Sequence, residues 1–412
     1  MVKITSSIIN ARLDKYLSET VGLKKQFGFS SGRGCVDATA ALKIALQNLN
    51  AADQAASVVF VDLVKAFDSV NREMLWKILA RLGVPPQIIK VIQKLYTDVT
   101  YHMNVAGKKK SFESTCGVKQ GDNLGPILFI FVIQAVSITL DKKWNFQKPN
   151  FRWRPFSIIG RPQGSLTGMN YRNKGQSCSQ WKSYYVDDAA FLLLNRSDAT
   201  EASKLIVSHF RRFGLTVHAG VRNTEESSKT EAMYFPAPLK EPAADAIADI
   251  ELDNNGYFSF TKEFKYLGST FTPELNDTIN VEKRIDQASK AFKAMNPNVF
   301  RRKEIPISLR MRTYQAIIMN LALWGCESWA LKEEDRSKLE TFHHNCLRRM
   351  CKWTMWDIAE KRITNEKVRR TAANSTTMES MMEVRRCRWL SKLSIMEKSR
   401  SPRQMLGAWC PR

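Results

Sequence analysis

Apolar residues recur along the chain with two periods, and the switches between them outline the expected elements. Ile4, Ile8, Leu13 and Leu17 predict an amphipathic N-terminal helix. A Gly-rich turn at 26–35 follows, then a second helix to about residue 50. Residues 57–63 (SVVFVDL) are short, β-branched and continuously apolar until Asp62, the pattern of a buried strand. Ser69 is placed to cap a helix whose Leu75, Ile78, Leu79 and Leu82 keep helical spacing until Gly83 and Pro85 stop it. Another helix spans 86–97. Gly125-Pro126 opens a helix apolar on nearly every face, which must therefore be buried. Residues 145–181 lose periodicity and read as hairpins and loop. Residues 183–194 set two aspartates between apolar runs, a hairpin pattern. A helix (199–213), a strand (231–235), a loop around 236–242 and a hairpin (256–272) come next, and from 278 the chain is helical and basic.

That order predicts an α+β fold: an antiparallel sheet with helices packed on one face, close to a split βαβ arrangement. Three regions follow from it. Residues 1–55 are entry helices, 56–272 hold the sheet with 145–181 as an insert, and 273–412 form a helical basic region.

Charge adds a partner. Sixty-three Lys and Arg against forty Asp and Glu leave a formal net charge of +23. Residues 281–412 alone carry 28 basic and 14 acidic residues, which points to a contact surface for a polyanion. An acidic membrane surface is the bland alternative. No stretch reads as a secretion signal, and the longest apolar run, Pro126 to Leu140, is short for a bilayer and contains Gln134, so no membrane partner is expected. Eight cysteines without framework spacing suit a reducing, intracellular setting.

Candidate chemistry sits at strand ends. Asp62 ends one strand, and Asp187-Asp188 occupy the turn between two others. If the hairpin lies beside the first strand, three carboxylates converge and require a cation. Mg²⁺ takes oxygen ligands from carboxylates and substrate phosphates, and a pair of such ions suits nucleotidyl transfer. Taken singly, each acidic position is more often structural, and a YxDD tetrapeptide is weak.

An ordered set of motifs changes that balance: FVDLVKAFDSV (60–70), GVKQGDNLGPILF (117–129), YYVDD (184–188), FGLTVHAGVRNTEESSKTEAMYF (213–235) and FKYLGS (264–269). Together they resemble the palm motifs of reverse transcriptases. QFGFSSGRGCVDA (26–38), YQAIIMNLALWGCESWAL (314–331) and FHHNCLRRM (342–350) are similar to the LINE-like, non-LTR retrotransposon branch. The resemblance implies a right-hand polymerase palm followed by a helical thumb. The implied function is an RNA-directed DNA polymerase that takes dNTPs, an RNA template and a DNA primer or target, with two Mg²⁺ (or substituting Mn²⁺).

By resemblance, Asp62, Asp187 and Asp188 with the Leu63 carbonyl would hold metal, and Lys229 would protonate the leaving pyrophosphate. Phe67, Gln120 and Gly121 would meet the nucleotide. Phe264, Tyr266, Leu267 and Gly268 would grip the primer. From spacing alone Phe67 reads equally as a core ring, Lys229 as a solvated lysine and the QGD segment as a turn. Nuclear residence is implied by the resembling family's life cycle, with the cytoplasm as the alternative, and the oligomeric state is left open.

The departures are specific. Ser30 stands where the branch usually has Arg, and Gly125 replaces the usual Ser before Pro126. The chain starts at what resembles the last helix before the palm, so most of the fingers and any endonuclease are expected to be missing. A truncated, catalytically impaired remnant that only binds nucleic acid is the alternative. In the basic region, Trp324, Trp329, Trp353, Trp356 and Trp389 are expected to be mostly core. His343, His344 and the nearby cysteines lack zinc-site spacing.

Overall fold

The computed structural model describes residues 2–21, 25–30, 32–105, 107–144, 148–153, 176–240 and 244–410. Two compact units are present: one comprises the described residues up to Phe264 together with 397–410, the other 265–396.

The first unit is built on a sheet around β1 (Ala56–Val61). β1 pairs antiparallel with β7 (Asp188–Leu193) on one side and β9 (Glu231–Phe235) on the other. β6 (Lys182–Tyr185) borders β7, β11 (Gly256–Phe260) runs parallel to β9, and β8 (Gly220–Val221) and β10 (Ile250–Glu251) pair with β11. Every residue of β1 is buried. Val59, Val61, Phe191 and Leu193 share one core with helices α3 (Arg72–Arg81), α4 (Pro86–Tyr96), α5 (Leu124–Lys143) and α6 (Arg196–Arg211). The architecture is the expected α+β palm. β2 (Thr100–Val105) and β3 (Lys108–Glu113) form a separate two-stranded ribbon that was not among the expected elements. β4 (Asn150–Trp153) and β5 (Gln176–Ser179) pair antiparallel, and most of the 145–181 insert lies outside the described residues.

Several expectations need correction. In α1 (Val2–Tyr16), Ile4 and Ile8 are exposed, whereas Ser6, Ile9, Leu13 and, just beyond it, Leu17 are buried. At about 100° per residue Leu13 lies opposite Ile4, so the four predicted positions never shared a face. α3 is capped by Asn71, whose Oδ1 accepts the Met74 N–H; the Ser69 hydroxyl instead donates to the Ala66 carbonyl. The 256–272 segment is not one hairpin, because β11 joins the main sheet and β12 (Phe264–Tyr266) pairs with β13 (Ser269–Phe271). α5 spans 20 residues, long and apolar enough by length and composition to cross a membrane, but 72% of its most apolar window is buried inside the unit.

Residues 397–410 follow the helical region in sequence yet pack with the first unit. β14 (Ala408–Trp409) pairs with β4, and the Lys25 ammonium donates to the Ser401 hydroxyl. The second unit is helical. Thr278–Met295, Glu333–Met350 and Met378–Ile395 pack around Phe292, Phe300, Tyr314, Leu339 and Leu347. Of its tryptophans, Trp329 is buried and Trp353 packs against this core, whereas Trp324 and Trp356 are 46% and 67% exposed, so the core expectation fails for those two.

Candidate active site

β1 delivers Asp62 to the end of the sheet. Beyond Val61 the chain stays tethered to residues 216–218. The Asp62 carbonyl accepts the His218 N–H at 2.9 Å, the Val64 N–H donates to the Thr216 carbonyl, and the Asp62 N–H donates to the Thr230 hydroxyl. The Leu63 carbonyl, between them, accepts no hydrogen bond from the described residues. The β1–β7 ladder ends with Val61 opposite Ala189, and Asp62 and Asp188 are the next residues on the two chains. Continued one residue past the ladder, strand alternation would turn both side chains to the face of Phe60 and Ala190. Tyr185 pairs with Asp188, leaving Val186 and Asp187 as a two-residue turn. Burial first, then the negative charges of Asp187 and Asp62, push the Asp188 carboxyl up to about 6. The three carboxylates therefore share one electrostatic neighbourhood.

Among the described residues, no three His, Cys, Asp or Glu side chains are gathered tightly enough to form a ready-made metal cage. Mg²⁺ does not need one, since it keeps waters and completes its shell with one or two carboxylates and substrate phosphates. An all-oxygen donor set with mutually repelling carboxylates and a free neighbouring carbonyl fits that ion.

The turn bearing Asp187 is braced from a distance. Val186 has φ +60°, costly for a β-branched residue. It is held because the Gln26 Oε1 accepts three N–H groups, from Phe27 at 2.9 Å, Gly28 at 2.9 Å and Val186 at 3.0 Å. Residues 25–27 run alongside β6: Tyr184 donates its N–H to the Lys25 carbonyl and accepts the Phe27 N–H. Gly28 is required here, since a Cβ would sit 2.3 Å from the Val186 Cγ2. The Tyr185 phenol is pushed up to about 12, first by its bond to the Cys35 thiol, where helix α2 (Cys35–Ala51) begins. Sequence reasoning missed Gln26. The signal was the QFGF segment, read there only as a turn and a family marker.

The nucleotide candidates cluster beside the exit of β1. The Phe67 ring is half-buried and stacks on Phe129, with centroids 4.8 Å apart, and its carbonyl accepts the Val118 N–H. Gln120 is exposed and donates from Nε2 to the Asp68 carboxylate at 2.9 Å. Gly121 has φ +80°, and a Cβ there would meet nothing within 4 Å, so the backbone conformation and not crowding calls for glycine. A cavity of about 480 Å³ opens at Gly121, lined also by Asn10, Phe29, Asp122 and Pro126. Lys229 is exposed, next to the Thr230 that bonds the Asp62 backbone, and its N–H donates to the His218 Nδ1. Phe264 stacks on Phe60 at 4.2 Å, on the carboxylate face of the sheet. Tyr266, Leu267 and Gly268 fall in the second unit, where Leu267 and Gly268, both at positive φ, form the turn between β12 and β13.

Comparison with known proteins adds a family. A family model described as reverse transcriptase (RNA-dependent DNA polymerase) matches residues 1–271. The Pol polyprotein of the type-2 retrotransposable element R2DM from Drosophila melanogaster is 29% identical over 134 residues, 32% of this chain and 13% of that protein. The RNA-directed DNA polymerase of the mobile element jockey, from the same organism, is 32% identical over 131 residues, 31% of this chain and 14% of that protein. The chain thus matches a small fraction of these relatives' own length. Among solved structures, apo telomerase from Candida tropicalis aligns with a TM-score of 0.42 at 11% identity, covering 98% of this chain and 61% of that one.

Proposed function

The chain belongs to the reverse transcriptase family, and from that premise we propose that it extends a DNA primer on an RNA template by nucleotidyl transfer. One observation carries the reading: the β1–β7 ladder ends at Val61 opposite Ala189, beside Asp62 and Asp188, and the charges of Asp187 and Asp62 both act on the Asp188 carboxyl. In the reaction the primer 3′-hydroxyl oxygen bonds to the α-phosphorus of a dNTP, the bond to the bridging oxygen breaks, and pyrophosphate leaves. Bound Mg²⁺ would neutralise phosphate charge and ease loss of the hydroxyl proton.

Asp62, Asp187, Asp188 and the Leu63 carbonyl would hold the metal, and Mn²⁺ could take its place. Phe67 would crowd a ribose 2′-hydroxyl and so select deoxynucleotides, with its stack on Phe129 holding the ring in place. Gln120 and the glycine backbone at 121 would meet the incoming nucleotide. Lys229, free in solvent, would donate a proton to the leaving pyrophosphate, while Phe264, Tyr266, Leu267 and Gly268 would hold the primer end. An intracellular site of action, nuclear or cytoplasmic, accompanies this reading.

The test is dNTP incorporation on a primed RNA template with Mg²⁺. Incorporation by the parent chain and its loss in Asp187→Asn are expected. Incorporation that survives the substitution would remove the assigned centre. Nucleic-acid binding with no incorporation by the parent would make the chain a binding remnant.

A further inference from the structure

The β2–β3 ribbon is exposed along both strands. Isolated two-stranded ribbons are marginal in water, and apolar side chains left on both strands call for a partner. The register sorts the ribbon into two unlike faces. Tyr101 pairs with Phe112, Met103 with Lys110 and Val105 with Lys108 on one face; Thr100 pairs with Glu113, His102 with Ser111 and Asn104 with Lys109 on the other. The first face carries two aromatic rings 5.6 Å apart, two apolar side chains and two lysines, with no acidic residue. Its Tyr101, Met103, Val105 and Phe112 are 38–60% exposed. The second face is polar, closed by a 2.8 Å bond between His102 and Ser111, and holds the ribbon's one carboxylate, Glu113.

We infer that the Tyr101/Phe112 face of this ribbon binds single-stranded RNA, at a surface distinct from the carboxylate site. Rings stack on unpaired bases while ammonium groups meet phosphates, a combination that tolerates any sequence. Successive side chains on one face of a strand stand about 6.8 Å apart, a spacing that a strand with its bases pulled apart can follow. A second copy of the chain docking face to face would set Lys108 and Lys110 against their own like charges, which disfavours self-association. RNA rather than DNA is chosen because the template is the unpaired strand of the proposed reaction, and that choice rests on the proposed function.

The test is fluorescence anisotropy with labelled single-stranded RNA, DNA of the same sequence and a duplex, over a range of salt. Tyr101→Ala/Phe112→Ala is expected to raise the Kd for single-stranded RNA at least about fivefold, the lower end of base–aromatic stacking. Lys108→Ala/Lys110→Ala is expected to reduce the slope of log affinity against log salt by about 1.4, at ~0.7 per phosphate. Lys109→Ala, on the polar face, should leave both quantities unchanged. An unchanged RNA Kd in both double variants, or an equal loss from Lys109→Ala, overturns the inference. So does a face that captures single-stranded DNA, anionic vesicles or a second copy in preference to RNA. The two readings fail separately: Asp187→Asn removes incorporation and spares ribbon-dependent RNA binding, whereas the ribbon variants spare kcat at saturating template.

Discussion

Replacing Gln26 by Ala should damage the proposed reaction centre from a buried residue outside the proposed metal and nucleotide contacts. The Gln26 oxygen accepts from three backbone N–H groups, and the side chain is 2% exposed. Phe27 keeps a second acceptor in the Tyr184 carbonyl, so the substitution strands two donors, those of Gly28 and Val186. A buried donor without a partner costs about 1–3 kcal/mol, so the loss is about 2–6 kcal/mol, less whatever an entering water restores. At about 2–4 °C per kcal/mol for a unit of this size, the unfolding midpoint should fall by at least about 4 °C. Val186 would then be free to leave its strained φ, carrying Asp187 with it. Primer extension should show a lower kcat with little change in the KM for dNTP, because Phe67, Gln120 and Gly121 belong to other segments. Gln26→Glu keeps the acceptor oxygens but buries a charge near the acidic turn, so it should rescue neither quantity. A Gln26→Ala chain with parental midpoint and parental kcat would refute the brace.

Two other outcomes follow from particular contacts. A Cβ at Gly125 would lie 2.2 Å from the Lys119 carbonyl, so restoring the serine usual in the resembling branch must shift the segment before Gln120. Gly125→Ser should cost about 1–3 kcal/mol in chemical denaturation, and an unchanged denaturant midpoint would contradict the placement of that loop. His343 is buried and bonded to the Tyr314 hydroxyl at 2.9 Å; burial, then the neighbouring His344, lower its pKa to about 4. Its folded pKa is below the unfolded value, so the unfolded chain binds the extra proton. Stability present above about pH 6.5 is therefore lost as pH falls towards 4, by about 3 kcal/mol in all. His343→Leu should flatten that part of the stability–pH curve, and a slope unchanged by it would assign the effect elsewhere.

Much of the palm was legible in the amino-acid order because its determinants are local. A β-branched run ending in Asp62 needed no tertiary information to read as a buried strand, and apolar runs flanking Asp187-Asp188 sufficed for the hairpin. The family likewise rests on short motifs kept in order. Helical phase was less secure: counting Ile4 with Leu13 on one face ignored half a turn of drift.

What folding alone decided is the meeting of distant segments. That Asp62 comes close to Asp188 depends on the register of two strands separated by more than a hundred residues, and a slip of one position would turn one carboxylate to the other face. Gln26 reaches Val186 across 160 residues of chain, and its polar side chain carries no periodic mark that it will be buried. At 100–105 the apolar residues Tyr101, Met103 and Val105 do alternate with polar ones, but the ribbon has no core face, and its pairing with the lysine-rich 108–113 shows only in the hydrogen bonding between the two strands. Residues 397–410 follow helices in sequence, yet their packing is set by β4 and Lys25, which no local pattern encodes. Composition and periodicity specify elements one at a time, whereas a reaction centre depends on which backbone groups find each other once the chain has closed.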